Sequence, residues 1–229
     1  MTAGADRLAP ILLCDLDGTV IDSAPDLAAS LSALLAEHGR RGLDTDEIKP
    51  MVGDGVAKLV ERAFAATGGV PADGAMAASV ARYSAIYECR LTRLTRPYPG
   101  ALDTLGALRA AGWRLAVCTN KPERASHEIV RALGMDALFE ALAGGDTFAV
   151  RKPDPGHLLH LIARMNGDPA RAVMLGDSHN DVRAARDAGL PVIAISHGYG
   201  TVPARALGAD RVIDSFAELP DTLAALKAG

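Results

Sequence analysis

The chain has 229 residues, 49% of them hydrophobic, which is enough apolar material for a sizeable core and excludes a disordered chain. Its 24 basic and 28 acidic residues leave a net charge of −4 with no basic stripe, so no nucleic-acid partner is expected. No apolar run reaches the ~18–20 residues that span a bilayer, and "MTAGADRLAP" is not built as a secretory signal, so no membrane partner and a cytoplasmic location are expected.

In chain order, "ILLCD" (11–15) is the first predicted strand, apolar enough to be covered on both faces of a sheet. Helical patterns then occupy 25–39, 55–69 and 74–91, and no strand is predicted from Pro25 to about Arg96. In the first pattern Leu27, Leu31, Leu34 and Leu35 share a face, with Pro25 suited to the first turn and Ser23 to the cap. "RPYPG" (96–100) reads as a stiff return linker.

Strands and helices alternate from there. Helices are predicted at 101–112, 123–134, 155–165 and 180–189, and Gly112, Gly134 and Gly189 stand where C-caps belong. Strands are predicted at 113–120, 172–177, 191–196 and 210–214. The pattern predicts an α/β fold: a doubly wound, parallel-sheet (Rossmann-like) core of residues 1–22 and 97–229 with a helical insert at 23–96. The three cysteines, Cys14, Cys89 and Cys118, lack metal-ligand spacing and are expected to be buried free thiols in a reducing compartment. His157 and His160, at i and i+3 with no partner motif, are expected on a helix surface.

Open α/β sheets bind ligands beyond the carboxyl ends of their strands, and here those ends gather chemistry. Asp15 and Asp17 follow the first strand, Thr119 and Asn120 the second, Lys152 lies in "RKPDP" (151–155), and Asp177 and Asp181 lie in "GDSHND" (176–181). Asp15 and Asp17, at i and i+2, can face one small volume, where two carboxylates repel unless a cation intervenes or one is protonated. Such an oxygen-rich site suits Mg²⁺ with a substrate phosphate, with Asp177 as a further oxygen ligand. Gly18 permits a sharp turn and leaves backbone N–H groups facing an anion. A carboxylate nucleophile, a hydroxyl, an ammonium and a second carboxylate for proton transfer are the parts needed to hydrolyse a phosphate ester.

"DLDGT" (15–19), "TN" (119–120), "RKPDP" and "GDSHND", in that order, resemble the four motifs of the haloacid dehalogenase superfamily. "VGDGVAKLVERA" (52–63), "RPYPGALDTLGALRAAG" (96–112) and "TNKP" (119–122) resemble the bacterial phosphoglycolate phosphatases within it. The resemblance implies Asp15 as nucleophile, Asp17 as general acid and base, and Thr119 and Lys152 as phosphoryl stabilisers. It implies Mg²⁺ held by Asp15, the backbone carbonyl of Asp17 and Asp177, and a small phosphorylated metabolite, 2-phosphoglycolate first, as substrate. The insert would then be a substrate-selecting cap.

Gly18 and Asn120 are further candidates for the phosphate site, and Gly53 and Lys58 for a lid closing over a small anion. Asp181 reads equally as a supporting acid or as a helix-start residue favoured by the macrodipole. Asp22 reads as a hinge residue at the exit into the insert. A phosphatase for another small phosphorylated acid or sugar phosphate, a phosphosugar mutase and a phospho-accepting receiver remain as alternatives, the last opposed by the insert. The chain is expected to be a monomer or a homodimer.

Overall fold

The computed structural model describes residues 9–200 and 202–227; residues 1–8, which the sequence assigns to the core, lie outside the described residues, as do 201, 228 and 229. The core strands are β1 (Ile11–Cys14), β4 (Arg114–Cys118), β5 (Ala141–Ala143), β6 (Ala172–Gly176), β7 (Val192–Ile195) and β8 (Arg211–Ile213). They form one parallel sheet in the order β5-β4-β1-β6-β7-β8. The chain winds outward from β1 in both directions, so the topological switch point falls where β4 and β6 flank β1.

The alternation of side chains along β1 shows why the strand is apolar throughout. Leu12 and Cys14 join Leu115 and Val117 on one face, while Ile11 and Leu13 join Ala116 and Cys118 on the other. The first face is covered by α5 (Ala101–Ala110), α6 (Glu123–Ala132) and α9 (Leu219–Lys227), through Leu105, Leu108, Ile129, Leu219 and Leu223. The second is covered by α7 (Gly156–Arg164) and α8 (His179–Asp187), through Leu158, Leu161, Ile162, Val182 and Ala185. The expected C-cap glycines have positive φ, +90° at Gly112, +69° at Gly134 and +71° at Gly189.

The helical insert consists of α1 (Ala24–Glu37), a short α2 (Thr45–Ile48), α3 (Val56–Ala66) and α4 (Asp73–Glu88). Its leucine face is buried as the spacing requires: Leu31, Leu34 and Leu35 pack with Val60, Phe64 and Tyr83. The two crossings between insert and core pair as a ribbon, β2 (Ile21–Asp22) antiparallel to β3 (Arg96–Pro97). Asp22 therefore occupies the crossing, in the position expected of a hinge residue. Among the described residues no helix is long and apolar enough to cross a membrane.

Several local expectations are corrected. Ser23 starts α1 but makes no side-chain cap; its hydroxyl donates to Asp17 Oδ1 instead, at 2.5 Å. His157 is fully buried, because α7 turns it toward the loop after β5 and not toward solvent. Cys14 and Cys118 are buried as expected, but Cys89 is exposed at the end of α4.

Asp26, in the first turn of α1, is buried and latches the two crossings. Its Oδ2 accepts from Leu94 N (2.9 Å), Thr95 N (2.7 Å) and Thr95 Oγ1 (2.7 Å). Removing the carboxylate strands the two buried donors of Thr95 and the part-buried N–H of Leu94. Asp26→Ala is therefore expected to cost about 2–4 kcal/mol of stability, read as a lowered urea midpoint. A midpoint within error of the parent would show that these bonds do not hold the crossing.

Candidate active site

Asp15 directly follows β1 at the switch point. Its backbone N–H donates to Leu175 O of β6, which fixes the chain as it leaves the sheet. The carboxylate is oriented by two donors on one oxygen: Leu16 N reaches Oδ1 at 2.7 Å and Lys152 Nζ at 3.0 Å. Lys152 is buried, and its ammonium also donates to Cys118 O (2.6 Å) and Asp181 Oδ1 (2.6 Å). Burial works against its charge, yet the facing Asp15 and Asp181 carboxylates hold it protonated, above the ordinary lysine value.

Lys152 comes from the long loop after β5, which a buried imidazole braces. Lys152 N donates to His157 Nδ1 at 3.3 Å, and His157 Nε2 bonds Gly144 O at 3.1 Å, which assigns its proton to Nε2. Burial and the Lys152 charge hold this histidine neutral, its pKa lowered to about 4.

Asp177, after β6, is fixed by Thr19 Oγ1 on Oδ1 and Tyr199 N on Oδ2, each at 2.8 Å. Gly18 lies against it with φ +82°; a Cβ there would stand 2.5 Å from Asp177 Oδ2, so a side chain would displace the acid. Asp181 starts a helix, as one sequence reading has it, and also pairs with Lys152. Its Oδ2 accepts from Ser178 N (3.0 Å) and Oγ (2.6 Å), which starts α8, while Oδ1 holds Lys152.

Asp15, Asp177 and Asp181 present carboxylate oxygens within 4.8 Å of one another. Burial, with the Asp181 charge nearby, pushes Asp15 up to about 6, against the opposing pull of Lys152. Burial, then the Asp15 and Asp181 charges, push Asp177 up to about 8. One ammonium among three buried carboxylates leaves an excess of negative charge. Hard oxygen donors in that arrangement fit a divalent cation.

Asp17 does not enter this cluster. Its carboxylate pairs with Lys121 Nζ, 3.1 Å from each oxygen, and accepts from Ser23. Asp15 and Asp17 are thus separated by giving each its own lysine, a resolution the i, i+2 spacing did not disclose. Lys121 also donates to Tyr87 OH on α4 at 2.7 Å. In the sequence Lys121 is part of "TNKP", and its place two residues beyond Thr119 is the local sign that it reaches the same sheet edge.

A cavity of about 280 Å³ opens between sheet edge and insert, lined from the core by Asp15, Asp17, Thr119, Asn120 and Lys121 and from the insert by Gly53, Leu59, Tyr83 and Tyr87. Gly53 O docks the insert by accepting from Asn120 Nδ2 (2.8 Å) and Asn180 Nδ2 (3.2 Å). Lys58 is not brought to this cavity: it lies on the exposed side of α3, paired with Glu61 at 2.8 Å. His179 is likewise exposed. Tyr83 and Tyr87 were not singled out in the sequence, although their i, i+4 spacing marks one helix face.

The haloacid dehalogenase-like hydrolase family model matches residues 10–189, a span that holds every side chain of this site except Tyr199. The chain belongs to this family. It is therefore a hydrolase. Among its relatives, the phosphoglycolate phosphatase of Caulobacter vibrioides is 42% identical over 207 residues, 90% of this chain and 87% of that protein. The phosphoglycolate phosphatase of Rhodospirillum rubrum is 44% identical over 216 residues, 93% of this chain and 90% of that protein. The crystal structure of a predicted phosphoglycolate phosphatase from Haemophilus somnus 129pt superposes with a TM-score of 0.88 at 29% identity, covering 94% of this chain and 98% of that one. CbbY from Rhodobacter sphaeroides, crystallised with phosphate, gives a TM-score of 0.78 at 29% identity over 93% of this chain and 96% of that one.

The raised acids set a pH dependence. From the ordinary aspartate value of 3.8 up to about 6 and about 8, the folded state binds more protons than the unfolded chain. The stability of the metal-free protein that depends on these groups therefore falls as pH rises through that window. A cation that binds the ionised carboxylates offsets the loss. MgCl2 is expected to raise Tm more at about pH 8 than at about pH 5, read by scanning calorimetry. An equal shift at both values would place the cation elsewhere.

Proposed function

We propose that the protein is a Mg²⁺-dependent phosphomonoesterase that hydrolyses 2-phosphoglycolate through an aspartyl-phosphate on Asp15. The observation that carries this reading is the pairing of Asp15 with Lys152 at the switch point, under a cavity that also holds a second carboxylate, Asp17. The relatives named phosphoglycolate phosphatase, 39–44% identical over at least 90% of this chain in the examples compared, support the substrate.

Asp15 Oδ1 is occupied by Leu16 N and Lys152, so Oδ2 is the oxygen that attacks phosphorus as the ester P–O bond breaks. Asp17, in its protonated form, gives its proton to the departing alkoxide. Thr119 Oγ1 accepts from Lys121 N at 3.2 Å, which leaves its O–H free to donate to a phosphoryl oxygen, and Lys152 adds positive charge beside it. In the second half, Asp17 takes a proton from water as that water attacks the aspartyl-phosphate. The bond from phosphorus to Asp15 breaks, and inorganic phosphate leaves. Asp15, Asp177 and the backbone carbonyl of Asp17 would hold Mg²⁺, with Asp181 orienting Lys152 beside them. When bound, the ion neutralises charge on the transferring phosphoryl group. The cavity, about 280 Å³ between core and insert, has room for a small ester.

Asp15→Asn is expected to lower kcat on 2-phosphoglycolate by at least about 10³-fold with the fold retained by circular dichroism, and EDTA to abolish activity until Mg²⁺ is restored. Full turnover by Asp15→Asn would remove it as nucleophile. Asp17→Asn separates the proton-transfer role in the first half-reaction: in single-turnover assays, release of the alcohol is expected to slow about 10²–10⁴-fold on an alkyl phosphate but far less on p-nitrophenyl phosphate, whose leaving group needs no proton. Equal slowing of that first release on both esters would assign Asp17 another role.

A further inference from the structure

We infer that Arg124 reads the acid end of the substrate, and that Glu88 holds its guanidinium until a substrate carboxylate takes that place. The inference rests on the reading of the site as a phosphatase for small phosphorylated acids and names the residue that selects them.

Asp15 and Arg124 line one cavity, so an ester whose phosphoryl group sits at Asp15 shares its space with the guanidinium. Among the described residues lining that cavity the cations are Lys121 and Arg124. Lys121 is already engaged, because its ammonium is buried and bonded to both oxygens of Asp17. The insert gives the cavity a largely apolar wall through Leu27, Val52, Val56 and Leu59. An acid end that enters therefore has Arg124 as the cation it can bind.

The present partners of Arg124 hold it weakly. Its side chain is 65% exposed, and it pairs with Glu88 of α4, 40% exposed, and with Glu128 one turn further along α6, 43% exposed and 3.5 Å away. Exposed pairs of this kind are worth about 0–1 kcal/mol, since water screens them and two long side chains give up freedom. A substrate carboxylate, tethered through a phosphoryl group held at Asp15, competes for the guanidinium as an intramolecular partner. The fork of Arg124 suits any carboxylate, so the exchange replaces like with like and returns Glu88 to water.

The placement of Arg124 favours the same exchange. It stands in the first turn of α6, where a cation faces the positive end of the helix dipole and a carboxylate is the favoured charge. Asp146, also in the lining, accepts from Glu123 N at 2.7 Å, so this helix end already receives one carboxylate. Arg124 belongs to the core and Glu88 to the insert, and their pair links the two walls of the cavity. A contact between guanidinium and substrate carboxylate is alike in the ground state and the transition state, so it acts mainly through KM.

The two partners of this bridge carry opposite expectations, which a plain tie between core and insert does not. Arg124→Gln removes the reader and is expected to raise KM for 2-phosphoglycolate about tenfold, as for loss of a hydrogen bond to a charged group. The change on ethyl phosphate, an ester of similar size without the carboxylate, should be far smaller. Glu88→Gln removes the competitor and is expected to lower KM for 2-phosphoglycolate about two- to fivefold, the worth of an exposed ion pair. Both side chains are exposed, so circular dichroism and Tm should match the parent. A KM for 2-phosphoglycolate that is unchanged in Arg124→Gln, or that rises in both variants, overturns the inference and leaves the functional reading standing. Equal kcat/KM on the two esters in the wild-type protein overturns the inference and the substrate together.

Discussion

The rest of the site depends on one electrostatic constraint: three aspartates are buried within a few ångströms at the carboxyl end of the central strand. Carboxylates in low dielectric repel and resist ionisation, so their placement needs fixed donors and positive charge around them. Each donor is drawn from a different element. Lys152 comes from the loop after β5, Thr19 from the turn after β1, Ser178 from the cap of α8 and Tyr199 from beyond β7. None of these groups is close to Asp15 in sequence except Thr19. The parallel sheet is what brings them to one edge, and the acid cluster is in turn the reason that edge is polar.

The same economy of contacts joins insert to core. Tyr199 fastens Asp177 through its backbone and, through its hydroxyl, accepts from Ser23 N (2.6 Å) and Ala24 N (2.9 Å) while donating to Asp22 (2.8 Å). A residue that orients an acid of the cluster thus also pins the crossing into the insert. Asn180, next to Asp181 on α8, donates to Gly53 O and Asp54 Oδ1 in the loop before α3. Burial would raise Asp54, but the bonds from Asn180 and Arg62 outweigh it and hold the carboxylate ionised. Any displacement of the insert therefore breaks bonds to residues adjoining the clustered acids, so the position of the insert and the geometry of the acids are mechanically linked.

The parts of this arrangement that were legible in the sequence are those with a local signature. The run "ILLCD" followed by "LDGT" showed a buried strand delivering acids, and the break in alternation showed the insert. The short β5 was not visible, because three residues, Ala141–Ala143, carry too little pattern to be told from loop. The β2–β3 ribbon was hidden for the same reason, since two residues per strand have no period. Asp17 and Asp181 were found as residues, but not their partners: which lysine each acid meets depends on strand order, which no local motif encodes. Tyr83, among the residues lining the cavity, escaped because a tyrosine on the buried face of a helix looks like core. Lys58 erred in the opposite direction. A cation beside a glycine loop looks poised for an anion, but the turn of α3 directs it to Glu61.

The end of β4 shows how a parallel sheet turns consecutive residues into separate functions. Beyond Cys118 the chain leaves the ladder with only Thr119 N still bonded to β5, through Ala143 O. The next side chains are then free to diverge. Thr119 lines the cavity, while Asn120 Nδ2 reaches across to Gly53 O of the insert and to Lys152 O, 2.8 Å from each. Lys121 reaches Asp17 and Tyr87. A cavity-lining hydroxyl, the docking of the insert and the partner of Asp17 thus follow one another in three positions. A shift of this strand would disturb all three at once. That makes the β4 register, fixed by its pairing with β1 from Arg114 to Val117, a condition for the geometry of the cavity as much as for stability.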